Sequence, residues 1–314
     1  MFDFYGKRKI FFSISVGLIV ATLLFAFIFG VQLDIQFKGG SLMTYTYDGD
    51  VNFGVVEKEV SALMGKINVN VQSGESTATG IKTFTVSLAQ KEGLSPEQQM
   101  LVHEKLASLF PNANIEVISV NNVDATIGGE FLKKSIIAVI AAAIVMILYI
   151  GIRFRRIGGW SAGVMAVIAL LHDVFMVFAI FVFFKIPLND NFIAVILTIL
   201  GYSINDTIVI YDRIRENERA MSRKLPLSEI VNTSINQSLG RAFGTTFATA
   251  LAMITVAIVA GLYGITSIVT FAIPMLAGII SGLYSSVCIT GPLWVVWENK
   301  FPSKNNQIRE RESR

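Results

Sequence analysis

The chain has 314 residues, 53% hydrophobic and 16% charged, with a net charge of +3 and a mean hydropathy of +0.60. Soluble domains carry about 25% charged residues, so this balance and the long apolar runs point to an integral membrane protein. No basic block speaks for nucleic acid. One cysteine, Cys288, leaves no intramolecular disulfide and no cysteine-built metal site, and His103 and His172 are too far apart in sequence to form a ligand pair.

Residues 1–9 end in Lys7-Arg8-Lys9 and precede an apolar run over 10–31, long enough to cross ~30 Å of hydrocarbon. Its apolar core is longer than that of a signal peptide and lacks a small-residue cleavage site, so it reads as an uncleaved anchor. Residues 33–125 are polar and hold no spanning run. Residues 41–47, 67–71, 81–88 and 114–120 alternate as strands do, the middle two around a loop at Ser73-Gly74-Glu75-Ser76. Residues 51–64 carry Phe53, Val56, Val60 and Met64 at helical spacing. Ser95-Pro96-Glu97 reads as a cap with proline in the first turn, opening a second helix to residue 110, with His103 on its surface. The order is β-α-β-β-α-β, the ferredoxin-like motif.

Apolar runs return at 131–152, 160–184, 191–210, 242–262 and 268–296. Residues 211–224 form a polar connector. From Pro226 an amphipathic helix with Leu227, Ile230, Val231, Ile235 and Leu239 on one face runs into the fifth span, and 298–314 is a polar, charged tail. The fold class expected is an α-helical polytopic membrane protein of six transmembrane helices, with one extracytoplasmic ferredoxin-like α+β domain between helices 1 and 2. Lys7, Arg8 and Lys9, Arg153, Arg155 and Arg156, the arginines of 211–224, Arg241 and the basic tail all fall at one set of span ends. The short loops of the other set carry only Lys185. By the positive-inside rule both termini are cytoplasmic and 33–125 lies outside, in the periplasm or its equivalent.

The fourth span holds the most informative residues. Asn205, Asp206 and Thr207 sit within its hydrophobic part, and an ionisable residue at bilayer depth costs at least about 2.5 kcal/mol. Thr198, Tyr202 and Asp206 are spaced by four and share one helical face. Asp206 lies seven residues before Arg213, hence ~10 Å from that end. A carboxylate balanced between burial and a cation can be loaded from one side and discharged to the other, and Arg241, at the start of the fifth span, can reach inward as that cation. Asp206 and Arg241 are therefore the expected proton-transfer pair, with protons as the coupling ion and no cofactor. Asp173, beside His172, is reckoned ~18 Å deep, some 8 Å deeper than Asp206; it either extends a proton path or bonds neighbouring helices. Gly278 and Gly282, and Gly240 and Gly244, stand in GxxxG register for close helix contact, and Pro274 can kink the sixth span.

Leu171-His172-Asp173, the run Ile199 to Thr207 with its Gly-Tyr-Ser-Ile-Asn-Asp-Thr string, Asp212-Arg213-Ile214-Arg215-Glu216-Asn217, Asn232-Thr233-Ser234-Ile235-Asn236-Gln237 and Tyr284-Ser285-Ser286 resemble the SecF family, the smaller half of the SecD–SecF export complex in the resistance-nodulation-division superfamily. The likeness is close over about 120–297 and looser at Phe37-Lys38-Gly39-Gly40-Ser41. Two departures stand out. Gln36 occupies a position where the family usually has aspartate, and Gly240-Arg241-Ala242 replaces a string with hydroxyl neighbours. The resemblance implies a non-enzymatic subunit that pairs with SecD and works beside the SecY–SecE–SecG channel and SecA. It implies use of the proton gradient to help preproteins on the outer side, where the α+β domain meets an unfolded chain. It also points to Asp206 and Arg241.

Three other readings remain at this point. Asp173 and Asp206 on adjacent spans are what an intramembrane aspartyl protease needs, though no Gly-x-Gly-Asp string is present. Half of a small-molecule exporter of the same superfamily, or a scaffold without proton coupling, would share the topology.

Overall fold

The computed structural model describes residues 1–302 except 66, 76–80, 91–92, 155–158 and 222–224. The expected basic residues Arg155, Arg156, Arg223 and Lys224, Gly158, the turn residue Ser76 and the tail beyond 302 lie outside the described residues.

Six helices among the described residues are long and apolar enough to cross a membrane. The first, α1 (Arg8–Phe29), exposes most of its surface, as a lipid-facing helix does, and Phe25 meets Phe183 edge-on at 5.1 Å. Beyond it the chain makes a short clamp. Asp34 N donates to Leu188 O (2.9 Å) and Leu188 N to Gln32 O (2.8 Å), tying the segment to a later loop. Asp34 then caps the four-residue helix α2 (Ile35–Lys38) through Gln36 N. Phe37 drops into the membrane core beside Val177, Phe181 and Met275 and stacks on Phe131 at 5.9 Å. Gly39 and Gly40 follow with φ of 82° and 140°. A side chain at Gly40 would also strike the Leu88 carbonyl, so both glycines suit the positive φ and Gly40 is required by contact as well.

The α+β domain follows the expected order: β1 (Gly40–Tyr47), α3 (Phe53–Leu63), β2 (Asn68–Glu75), β3 (Lys82–Ala89), α4 (Pro96–Leu109) and β4 (Glu116–Val123). The strands are antiparallel in the order β2-β3-β1-β4, the ferredoxin-like arrangement. Alternation puts Met43, Tyr45, Phe84, Val86 and Leu88 against Val56 and Val60 of α3 and Val102 and Leu106 of α4. Ser95 and Gln98 cap α4 reciprocally. Two local expectations change. Ser73–Glu75 belong to β2 rather than to a loop, and His103 is half-buried, stacked on the Tyr45 ring at 6.1 Å, because its helix packs on the sheet at that point.

The other spans are α5 (Ala125–Arg153), α6 (Gly159–Phe183), α7 (Asp190–Met221), α8 (Leu227–Leu262) and a composite of α9 (Thr266–Tyr284), a π-helical turn (Ser285–Thr290) and α10 (Gly291–Lys300). The connector expected at 211–224 is instead helix as far as Met221, and the amphipathic helix and fifth span are one element. At 32 and 36 residues, α7 and α8 are ~48 and ~54 Å long and project beyond a ~30 Å membrane on the side opposite the α+β domain, here called the far side. Apolar teeth on both sides of the polar stripe keep these helices continuous: Ile210, Tyr211 and Ile214 of α7 pack with Val231 and Ile235 of α8 and with Trp294. Tyr211 donates to Ala162 O (3.0 Å), satisfying its buried hydroxyl.

Candidate functional site

Asp173 is fully buried where α6, α7 and α9 cross. Its Oδ2 accepts from Ser203 and Ser285, both at 2.7 Å, and its Oδ1 accepts from Ser281 at 2.6 Å, with His172 Nδ1 3.2 Å away. Ser286 donates to Ser203 O (3.3 Å) and meets Thr207 Oγ1 at 2.9 Å. Two consecutive serines thus both reach inward, one to Asp173 and one to α7. The π-helical turn Ser285–Thr290, buried throughout, gives the backbone the extra residue per turn that this needs, and Thr290 Oγ1 donates to Ser285 O (3.1 Å) within it.

Three residues past Ser203, Asp206 is 3% exposed and faces α8. Thr246 stands beside it and Arg241 acts on it electrostatically. The seam between α7 and α8 is antiparallel, fixed by Tyr202 Oη to Thr249 Oγ1 (3.3 Å), Arg213 Nε to Gln237 Oε1 (2.6 Å) and Asn217 Nδ2 to Ser234 Oγ (2.9 Å). Asp206 Oδ2 and Thr246 Oγ1 are both buried and neither has a partner at ordinary hydrogen-bond distance and angle, although Thr246 is close enough to act on the carboxylate. Arg241 precedes Thr246 by five residues, so it enters ~7.5 Å closer to the far side. There a cleft of about 660 Å³ opens between the two helices, lined by Asn205, Asp212, Arg213, Ser238 and Arg241 among others. A carboxylate one turn inside a polar cleft, with an arginine at the mouth, can exchange a proton with water.

The comparisons with known proteins agree on kinship. The sequence profile described as Protein export membrane protein SecD/SecF, C-terminal, matches residues 102–300. The chain belongs to the SecD/SecF family. It is 33% identical to the protein translocase subunit SecF of Alicyclobacillus acidocaldarius over 305 residues, covering 96% of this chain and 95% of that one. It is 32% identical to the protein translocase subunit SecDF of Bacillus subtilis over 306 residues, covering 97% of this chain but 39% of that one. The crystal structure of SecDF from Thermus thermophilus, described as a translocon-associated membrane protein, superposes with a TM-score of 0.80 at 28% identity, over 95% of this chain and 39% of that chain. A SecDF structure in a super-membrane-facing form gives 0.67. These relatives are named as translocase subunits rather than as enzymes.

Against this kinship the individual residues divide. Tyr202 and Asp206 share the α8-facing side as their spacing predicts, but Thr198 is exposed and donates to Ala194 O, and Asn205 is exposed at the cleft. Asp173 bonds Ser203, so it lies about one turn from Asp206 along α7, ~4.5 Å rather than ~8 Å. The two acids still form no dyad. The Asp173 oxygens are taken by three serines and His172, whereas Asp206 faces the other interface, which argues against an aspartyl protease. Gly278 and Gly282 pack inside the bundle, where a side chain would meet Ile199 and Val177, and Ser203. Gly240 and Gly244 face open space. Residues 240 and 242 offer Arg241 no hydroxyl, and the hydroxyl bonded to it in α8 is that of Thr245, which donates to the Arg241 carbonyl. The serines at Asp173 went unassigned in sequence because Ser203, Ser281 and Ser285 lie 30, 108 and 112 residues from it in the chain, and Thr246 carries no motif at all.

Proposed function

We propose that the chain is the SecF-like half of a proton-driven, non-enzymatic auxiliary unit of protein export, paired with a SecD-like half. The carrying observation is Asp206, a buried acid in a spanning helix with one oxygen unsatisfied and Arg241 nearby. An acid at such depth is retained for function rather than for packing, and an incomplete hydrogen-bond set leaves its neutral form accessible. The far side, with Lys7, Arg8, Arg153, Arg213, Arg241 and Lys300, is the cytoplasmic side, and the α+β domain stands outside. The open face of α8, with Gly240, Gly244, Phe243 and Phe247 exposed, is where the SecD-like half docks. That the SecDF chains are more than twice as long supports this pairing. The SecY–SecE–SecG channel and SecA are the machinery it serves. An unfolded preprotein meets the α+β domain at the β4 edge, where Val117 and Ile118 are exposed, by strand addition.

Asp206→Asn tests the reading. Proton-gradient-dependent export of a slow secretory substrate is expected to disappear while the complex with the SecD-like half still purifies intact. Wild-type export by that variant would sink the proposal.

A further inference from the structure

From Arg241 onward, the threonines of α8 follow a habit with one exception. Thr245, Thr249 and Thr255 each donate to the carbonyl four residues earlier, those of Arg241, Thr245 and Leu251, at 2.9–3.1 Å. This local bond is the usual resting place of a hydroxyl in a membrane helix. Thr246 is 5% exposed, more buried than any of these three, yet its Oγ1 has no partner. A buried hydroxyl without a partner is costly; the carbonyl of Ala242, in the position the others use, is approached by the Thr245 hydroxyl at 3.0 Å. The register of the α7–α8 seam sets Thr246 opposite Asp206, whose Oδ2 is likewise unpartnered.

We propose that Thr246 is a positioning residue of the Asp206 proton site, its hydroxyl donating to the carboxylate and, after rotation about Cβ–Oγ1, accepting from the carboxylic acid. A hydroxyl is the smallest side-chain group that serves both forms, since it is one donor and two acceptors. Asparagine or lysine would favour one state by fixed dipole or charge. The proton itself arrives as hydronium in the adjoining cleft: a hydronium O–H breaks, an Asp206 O–H forms and neutral water is left; release reverses both, while the Thr246 proton never leaves. Ser238 of the cleft lining and Thr246 lie eight residues apart on one face of α8, with only buried Ala242 between them. Thr246 therefore lies about two turns deeper along that face than the cleft-lining Ser238.

The groups that act on this acid are few among the described residues. From α8 comes Arg241. Asp173 and His172 of α6 lie behind Ser203, while α9 and the π-helical turn bring serines, Tyr284 and Cys288.

The inference rests on Asp206 being the proton site, and one experiment separates the two. Proton-gradient-dependent export is measured across pH for the full chain with its SecD-like partner, as wild type, Asp206→Asn, Thr246→Val, Thr246→Ala and Thr246→Ser. Thr246→Val keeps the shape and loses the hydroxyl, and Thr246→Ala covers the case in which Val does not assemble with the partner. In either, the pH of half-maximal coupling is expected to rise by about 1–2 units, because the carboxylate loses a donor and bonds to charged groups are the stronger ones. Thr246→Ser should keep the wild-type profile. A wild-type profile in Val or Ala, with coupling lost in Asp206→Asn, overturns the role of Thr246 alone. A shifted profile in Ser as large as in Val overturns it too, since packing would then be the cause. Coupling retained in Asp206→Asn overturns the site itself.

Discussion

Two buried aspartates lie about one turn apart along α7 and are built in opposite ways. Asp173 is surrounded: three serine hydroxyls from two other helices and a histidine ring nitrogen share its two oxygens. Asp206 keeps one oxygen bare, beside a threonine with no partner and below an open polar cleft. The same residue type in the same apolar bundle is thus a joint in one place and a candidate for change in the other. What separates them is the number of hydrogen bonds that would have to be given up when the acid changes state. The seams differ correspondingly. The α7–α9 seam is close-packed on Gly278 and Gly282, and the α8 face carrying Gly240 and Gly244 is open.

The largest expected effect falls on the joint. Asp173→Ala leaves Ser203, Ser281 and Ser285 without their acceptor and should lower stability by about 3 kcal/mol or more, at 1–3 kcal/mol for each orphaned group less what the serines recover by turning to their own helix carbonyls. Asp206→Ala removes a buried acid with an unpartnered oxygen and should leave stability unchanged or raised. Thermal unfolding of both variants in detergent decides, and equal losses would erase the contrast.

Next come the glycines. Gly278→Val drives a branched side chain into Ile199 and Val177 and should destabilise by about 1–3 kcal/mol, the usual effect of overpacking. A Cβ at Gly244 meets nothing within 4 Å in this chain, so Gly244→Val should stay within about 0.5 kcal/mol. It should instead weaken co-purification with the SecD-like half. A Gly244→Val protein that unfolds early, yet still binds, would reverse the roles given to the two pairs.

The smallest effect is expected at a third acid, Asp34, on the α+β-domain side. Burial raises its pKa above the ordinary carboxyl value, with the charge of Asp190 adding to the rise and the Gln36 backbone opposing it. A raised folded pKa means that the folded chain holds this proton more tightly than the unfolded one. The associated stability is therefore complete below the unfolded pKa near 3.8 and is lost as pH climbs through the raised value. Asp34→Asn keeps a good N-cap for α2 and removes the charge. Its melting temperature should match or slightly exceed wild type at neutral pH, with a flatter dependence across that acidic window. A clear loss at neutral pH would show that the charge itself, rather than the cap, holds the clamp on Leu188.

Much of this architecture is legible in the residue order. Apolar runs of spanning length gave six helices, and period-two alternation at residues 41–47 and 81–88 placed β1 and β3 within a residue or two of their structural ends. The missed elements have a common cause. Residues 211–221 are polar and look like a loop, but the opposing face of α8 supplies Ser234 and Gln237 for Asn217 and Arg213, so helix continues. A π-helical turn leaves no compositional trace, because it is defined by which carbonyl each amide finds.

The sequence by itself determined that this chain crosses a membrane six times, inserts a βαββαβ domain after the first span, and keeps an acid at position 206 among apolar neighbours. Those properties depend on local period and transfer energy, which each stretch carries alone. Which acid is saturated and which is left incomplete was decided only by the tertiary structure. Ser203, Ser281 and Ser285 converge on Asp173, and Thr246 turns toward Asp206, because helices far apart in the chain cross at fixed heights and rotations, and hydrogen bonds act only over about 3 Å.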